Sequence, residues 1–173
     1  MNRRVLILAL LLVAAPASAN DELNIVRASE PVDDKVNTVV LRNLPTATID
    51  QLVTVTNPLG NIAVAIRTVS ITDVIPTRVK FRMLDLSGTG PVEFVNGNLL
   101  GVPLGASGLS LSYGGLGNLG DGVQFFDGAS WDYVPRDQGD GYDPNVRAIK
   151  VTMSGTRFAT GGSFRLRYRV MLK

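Results

Sequence analysis

Ser163-Phe164-Arg165-Leu166-Arg167-Tyr168-Arg169-Val170-Met171-Leu172 is the stretch that decides the fold. Phe164, Leu166, Tyr168 and Val170 alternate with Arg165, Arg167 and Arg169. Successive side chains of a strand point to opposite faces. A period of two therefore puts the four apolar groups on one face and the three guanidinium groups on the other. The segment reads as a strand whose apolar face lies on a core while its arginines stand outward.

Working upstream from it, the same signal recurs in short pieces. Gln51-Leu52-Val53-Thr54-Val55-Thr56 alternates and stops at the turn sequence Asn57-Pro58-Leu59-Gly60. Residues 62–72 read as a second strand region, ended by Asp73-Val74-Ile75-Pro76, and Val79-Lys80-Phe81-Arg82-Met83 alternates again. Val92-Glu93-Phe94-Val95 closes at Asn96-Gly97, which reads as a hairpin-type turn. Residues 101–122 are rich in glycine and read as loop around one strand, Leu109-Ser110-Leu111-Ser112-Tyr113. Residues 123–126, 131–134 and 146–153 are further strands, and Val36-Asn37-Thr38-Val39-Val40-Leu41 is a short β-branched one near the start. No window outside the first nineteen residues has an apolar repeat of 3.6.

About 8–10 short strands punctuated by Gly, Pro, Asn and Asp mean a sandwich or a barrel. An outer-membrane barrel wants longer strands and aromatic girdles. The chain has six Phe, four Tyr and one Trp, not paired at strand ends, so the expectation is an all-β, immunoglobulin-like sandwich.

The N-terminus has a different character. Asn2-Arg3-Arg4 is basic, residues 5–15 are apolar without a break, and Ala17-Ser18-Ala19 supplies the small residues a signal peptidase needs. An apolar run of about eleven residues is too short to span a bilayer. Residues 1–19 are expected to be a cleavable signal-peptide helix, 20–47 an N-terminal extension with an edge strand, and 48–173 the sandwich domain. The mature protein is then periplasmic, extracellular or on the cell surface, with no transmembrane segment.

Composition narrows the chemistry. Of 17 basic residues two are Arg3 and Arg4, so loss of the leader balances the remainder against 15 acids. Nucleic-acid binding driven by phosphate neutralisation has no support in a neutral chain. The sequence has no cysteine and no histidine. That removes disulfides, a lipid-anchor cysteine, Ser-His-Asp and Cys-His nucleophilic sites and His-ligated zinc. A carboxylate pair for glycoside hydrolysis could start from Glu93, but nothing in the sequence brings an Asp beside it. The expectation is a protein that is not an enzyme.

Two blocks of sequence have a familiar look. The first is Asp143-Pro144-Asn145-Val146-Arg147-Ala148-Ile149-Lys150-Val151-Thr152-Met153-Ser154-Gly155, followed by Gly161-Gly162-Ser163 and the terminal strand. The second is Val53-Thr54-Val55-Thr56-Asn57-Pro58 with Thr72-Asp73-Val74-Ile75-Pro76. Together with Phe125-Phe126-Asp127-Gly128-Ala129-Ser130-Trp131, they resemble a conserved repeat domain of unknown function from bacterial and archaeal envelope and surface proteins. The resemblance covers roughly residues 48–173. It implies an immunoglobulin-like sandwich that builds or decorates cell surfaces, with no catalytic residues to carry over. This chain has one copy rather than a tandem array, a longer segment between Asn57 and Asp73, and a glycine-rich insertion.

Four features carry binding chemistry or its ordinary alternative. Asp137, Asp140, Asp143 and Asn145 crowd a Gly-containing loop, and closely spaced oxygen ligands suit calcium. A solvated turn is the expectation, since Asp, Gly, Asn and Pro are turn formers. Calcium is the one cofactor candidate.

Residues 121–143 are acidic and 144–173 purely basic. The outward arginines either dock on an anionic surface or are neutralised by carboxylates on neighbouring strands, and neutralisation is the expectation. Trp131 and Tyr133 share a strand face and are expected in the core rather than on a sugar. The strand near the N-terminus either completes its own sheet or is donated to another subunit.

The resulting expectation is a structural or adhesive element of the cell envelope. Its partners are other envelope or surface proteins, or further copies of itself. The alternatives are a calcium-stabilised carbohydrate- or protein-binding module and a strand-exchanging filament subunit.

Overall fold

Alternating apolar and polar residues make the strands, and Gly, Pro, Asn and Asp cut them short. The computed structural model describes residues 21–99, 102–103 and 105–173. The expected leader, residues 1–19, lies outside them. In chain order the strands begin with β1 (Asn24–Asp33), β2 (Thr48–Thr56), β3 (Thr68–Val74), β4 (Val79–Arg82), β5 (Val92–Asn96) and β6 (Asn98–Leu99). They continue with β7 (Val102–Pro103), β8 (Leu109–Leu111), β9 (Val123–Phe126), β10 (Tyr142–Asp143), β11 (Ala148–Gly155) and β12 (Ser163–Leu172). A 3-10 helix, Leu59–Ala63, follows β2.

The strands form two antiparallel sheets and one small ribbon, β6 with β7. β12 is the axis of the first sheet, which runs β1-β2-β12-β4-β10. β2 pairs along one edge of β12, and β5 and β4 share the other edge end to end. β11 is the axis of the second sheet, with β3 on one edge and β9 and β8 on the other. The all-β sandwich expected from the sequence is the observed architecture.

The core lies between the sheets. Phe164, Leu166, Tyr168 and Val170 of β12 are buried, as the alternation requires, and so are Ile149, Val151 and Met153 of β11. Phe81 of β4 meets Phe125 of β9 edge to face, with ring centroids 5.6 Å apart. Phe158, on the β11–β12 connection, packs on Phe164 at 5.6 Å. Burying an aromatic side chain of this size contributes about 2–3 kcal/mol, so these four rings supply much of the apolar stabilisation.

Three local expectations are corrected. Residues 36–41 are not a strand. The Asp34 carboxylate accepts hydrogen bonds from the backbone N–H groups of Val36, Asn37 and Arg42 and from the Asn37 side chain. These bonds fold the segment into a loop and override its β-branched composition. The edge strand of the extension is β1 instead. Residues 62–67 are not strand either: the 3-10 helix runs to Ala63, and β3 begins only at Thr68. Buried Asn57 and Asn61 fix this corner, Asn61 Nδ2 donating to Asn57 Oδ1 at 2.9 Å. Finally, Asn96-Gly97 is not a hairpin turn. β5 pairs with β12, and the Gly97 N–H donates to Ser163 O at 2.9 Å as the chain leaves the sheet. Gly97 has φ +71 and no room for a Cβ beside Ala106, which explains the glycine.

Candidate functional site

β1 is the outermost strand of the first sheet, and β3 is the outermost of the second. Between their edges opens a cleft of about 520 Å³. Its walls include Ser29 and Pro31 of β1, Ile49 and Val53 of β2, and Ile75 and Pro76 beyond β3. β1 overhangs this cleft with nine of its ten residues exposed.

One polar cluster crosses the opening. The Arg27 guanidinium, on β1, donates to Asp73 Oδ1 on β3. The Tyr168 hydroxyl, on β12, donates to Asp73 Oδ2 at 2.8 Å. Asp73 is 8% exposed, and each of its oxygens has a partner. Burial, reinforced by the neighbouring Asp73 charge, pushes the Tyr168 phenol far above its ordinary range, so it stays a donor. The cluster ties an edge of one sheet to an edge of the other. Chemically, the cleft offers an apolar wall beside main-chain edges, the arrangement that accepts an extended chain.

Two of the three arginines in the row are neutralised within the sheet, as expected. Arg167 Nε donates to Glu93 Oε2 at 2.6 Å, and its Nη1 to Asp50 Oδ2 at 3.1 Å. Arg169 takes both oxygens of Asp50. These partners stand directly opposite in the strand registers: Arg167 faces Glu93, and Arg169 faces Asp50. Arg165 instead faces Thr54 and Val95, and its buried Nε has no partner.

The acidic loop uses its carboxylates on itself. Asp137 Oδ1 accepts from the N–H groups of Gly139 and Gly141. Asp140 accepts from the Tyr142 N–H and from Lys80 Nζ, and the lysine holds its carboxyl below the usual range. Asp143 is fully buried and accepts from the Asn145 and Arg136 N–H groups and from the Tyr133 hydroxyl. Asn145 enters this set through its backbone N–H. Among the described residues no three His, Cys, Asp or Glu side chains gather closely enough to hold a metal ion. The carboxylates of Asp137, Asp140 and Asp143 thus form no such group, and Asn145 follows them on the same loop.

Trp131 and Tyr133 do not share an environment. Tyr133 packs against the core and bonds Asp143. Trp131 is half-buried outside the core, stacked on Phe126 at 5.0 Å, with Lys150 Nζ 4.8 Å from its ring centroid. The reason is local. Residues 131–134 make only an isolated bridge, Tyr133 to Phe125, rather than a strand with a regular alternation.

Sequence reasoning missed the cleft cluster. Arg27 lies in a stretch with no apolar face, and Asp73 reads as a turn residue. Tyr168 reads as core, which it also is. β1 and β12 hold Arg27 and Tyr168 in one sheet, and only the packing of the second sheet against it brings Asp73 to them. No protein-family model, no curated protein and no solved structure matches the chain.

Proposed function

We propose that this chain is an exported, non-catalytic structural or adhesive element of the cell envelope that works by contact through its sheet edges. The observation that carries the reading is the pair of open strands, β1 and β3, beside a cleft whose Arg27 and Asp73 charges already neutralise each other. Such edges bind by main-chain hydrogen bonding and side-chain packing, not by reaction. The leader-like residues 1–19 support export, and the resemblance to envelope and surface domains supports the location. The carbohydrate-binding alternative has less behind it, because Phe126 and Lys150 already pack on the Trp131 ring.

Fractionation of the native cells tests the reading. The chain is expected in the envelope fraction or the medium, shortened by its leader. Recovery from the cytoplasm at full length would overturn it.

A further inference from the structure

We infer that β1 is an exchangeable strand: it pairs with β2 of a second copy and closes Arg27 on that copy's Asp73. The inference rests on the reading of this chain as an element that works through its sheet edges, and it names the partner.

β1 is ten residues long, and among the described residues it pairs with β2 alone. Ile25 and Val26 are 48% and 56% exposed, so the strand buries little apolar surface where it lies. Its tie to the second sheet is the Arg27–Asp73 ion pair. No other strand has to unravel for β1 to leave; Asp21, bonded to Asn61, and Leu23, packed on the core, leave with it and find the same partners on the second copy. Exchange between identical copies re-forms the same register and the same ion pair, so the two forms differ mainly in the connection to β2. The charges also select the acceptor, since the inward cation of β1 needs an anion at the position of Asp73.

The connection, residues 34–47, argues for the second copy. Val36, Val39 and Val40 are 74%, 90% and 68% exposed, three large apolar side chains left open in one short segment among the described residues. Residues 36–41 have the composition of a strand but are held as a loop by Asp34. Thr46 and Ala47 stay bonded to Leu172, so residues 34–45 are the part that can extend, and at 3.3–3.6 Å each they span up to about 43 Å, enough to carry β1 onto a neighbouring sandwich. In the linked form the connection lies between the two bodies, where its valines are covered.

The cysteine-free sequence gives a clean test. Ser29 and Gln51 are register partners, with Ser29 Oγ donating to Gln51 Oε1 at 2.7 Å. A chain carrying both S29C and Q51C places two thiols within disulfide reach wherever β1 pairs with β2. The mature chain is concentrated, oxidised and run on a non-reducing gel. Covalent dimers or longer species that collapse on reduction are expected. Oxidised material that is entirely internally linked monomer would overturn the inference.

A second test does not depend on that variant. Arg27→Asp and Asp73→Arg chains are purified separately and mixed, with circular dichroism to confirm folding. The equimolar mixture is expected to associate more than either chain alone, because only exchange between the two variants sets an arginine opposite an aspartate again. A mixture no more associated than its components would overturn the inference. If instead the oxidised, internally locked chain associates as well as the wild type, exchange is wrong while the envelope-contact reading stands. Cytoplasmic residence sinks that reading whatever the gel shows.

Discussion

Arg169 grips both oxygens of Asp50 across neighbouring strands, Nε on Oδ1 at 2.6 Å and Nη2 on Oδ2 at 2.9 Å. Arg167 adds a third bond to the same carboxylate. The Asp50 side chain is 7% exposed beneath the two arginines, whose side chains are 19% and 26% exposed. Asp50→Asn keeps the shape and removes the charge, leaving Arg167 with Glu93 alone and Arg169 with no carboxylate among its described partners. Breaking a fully buried pair costs about 3–5 kcal/mol. Partial exposure of both arginines brings the expected loss to about 2 kcal/mol, read as a lower urea midpoint. Arg169→Lys, which keeps the charge but cannot bind both oxygens, is expected to lose less.

Asp34→Ala removes the acceptor that gathers Val36, Asn37 and Arg42 into one loop. Exchange of β1 requires that loop to open. In the oxidised double-cysteine background, Asp34→Ala is therefore expected to raise the share of interchain-linked species. A fall in that share would show that the closed loop does not restrain the strand.

Stability should depend on acid in one direction. The Asp34 carboxyl is held far below the usual range, chiefly by the Asn37 N–H, Asp85 is lowered by the Ser87 N–H and Asp127 by the Ser130 N–H. Lys80 does the same for Asp140. All four are lowered by folding, so in acid the unfolded chain binds more protons than the folded one, and stability rises with pH there. Their contribution is complete above about pH 5, roughly a unit over the ordinary Asp pKa, and is lost as pH falls further. With no histidine in the sequence, no imidazole titrates between about pH 5 and 8. Urea unfolding at about pH 7, 5 and 3 is expected to give two similar midpoints and a lower third.

Chelation separates the two readings of the acidic loop. Asp137, Asp140 and Asp143 already accept backbone N–H groups, a Lys and a Tyr. A calcium ion there would have to compete with those donors. Excess chelator is expected to leave the melting temperature unchanged. A drop reversed by added calcium would restore the metal-loop reading.

Sequence was most informative where one face of a strand is buried. β12 and β4 stand close to where alternation puts them, because a one-residue slip would expose Phe164 or Phe81. β1 was illegible for the opposite reason: a strand exposed on both faces carries no apolar stripe to read. At residues 36–41 local preference pointed to strand, and a single carboxylate outweighed it. The Arg27–Asp73–Tyr168 cluster was out of reach because its members come from three strands of two sheets and meet only where the sheets pack together. The arginine row was half legible. Its outward direction followed from alternation, while its partners Glu93 and Asp50 depended on registers no single strand contains.

Trp131 is the sole indole in the chain, and it is packed on Phe126 and Lys150 of the second sheet. Its fluorescence will follow global unfolding and stay silent when β1 at the rim of the first sheet detaches. A dye on β1 alongside the native emission would therefore time strand departure and collapse of the whole sandwich as two separate clocks in one molecule.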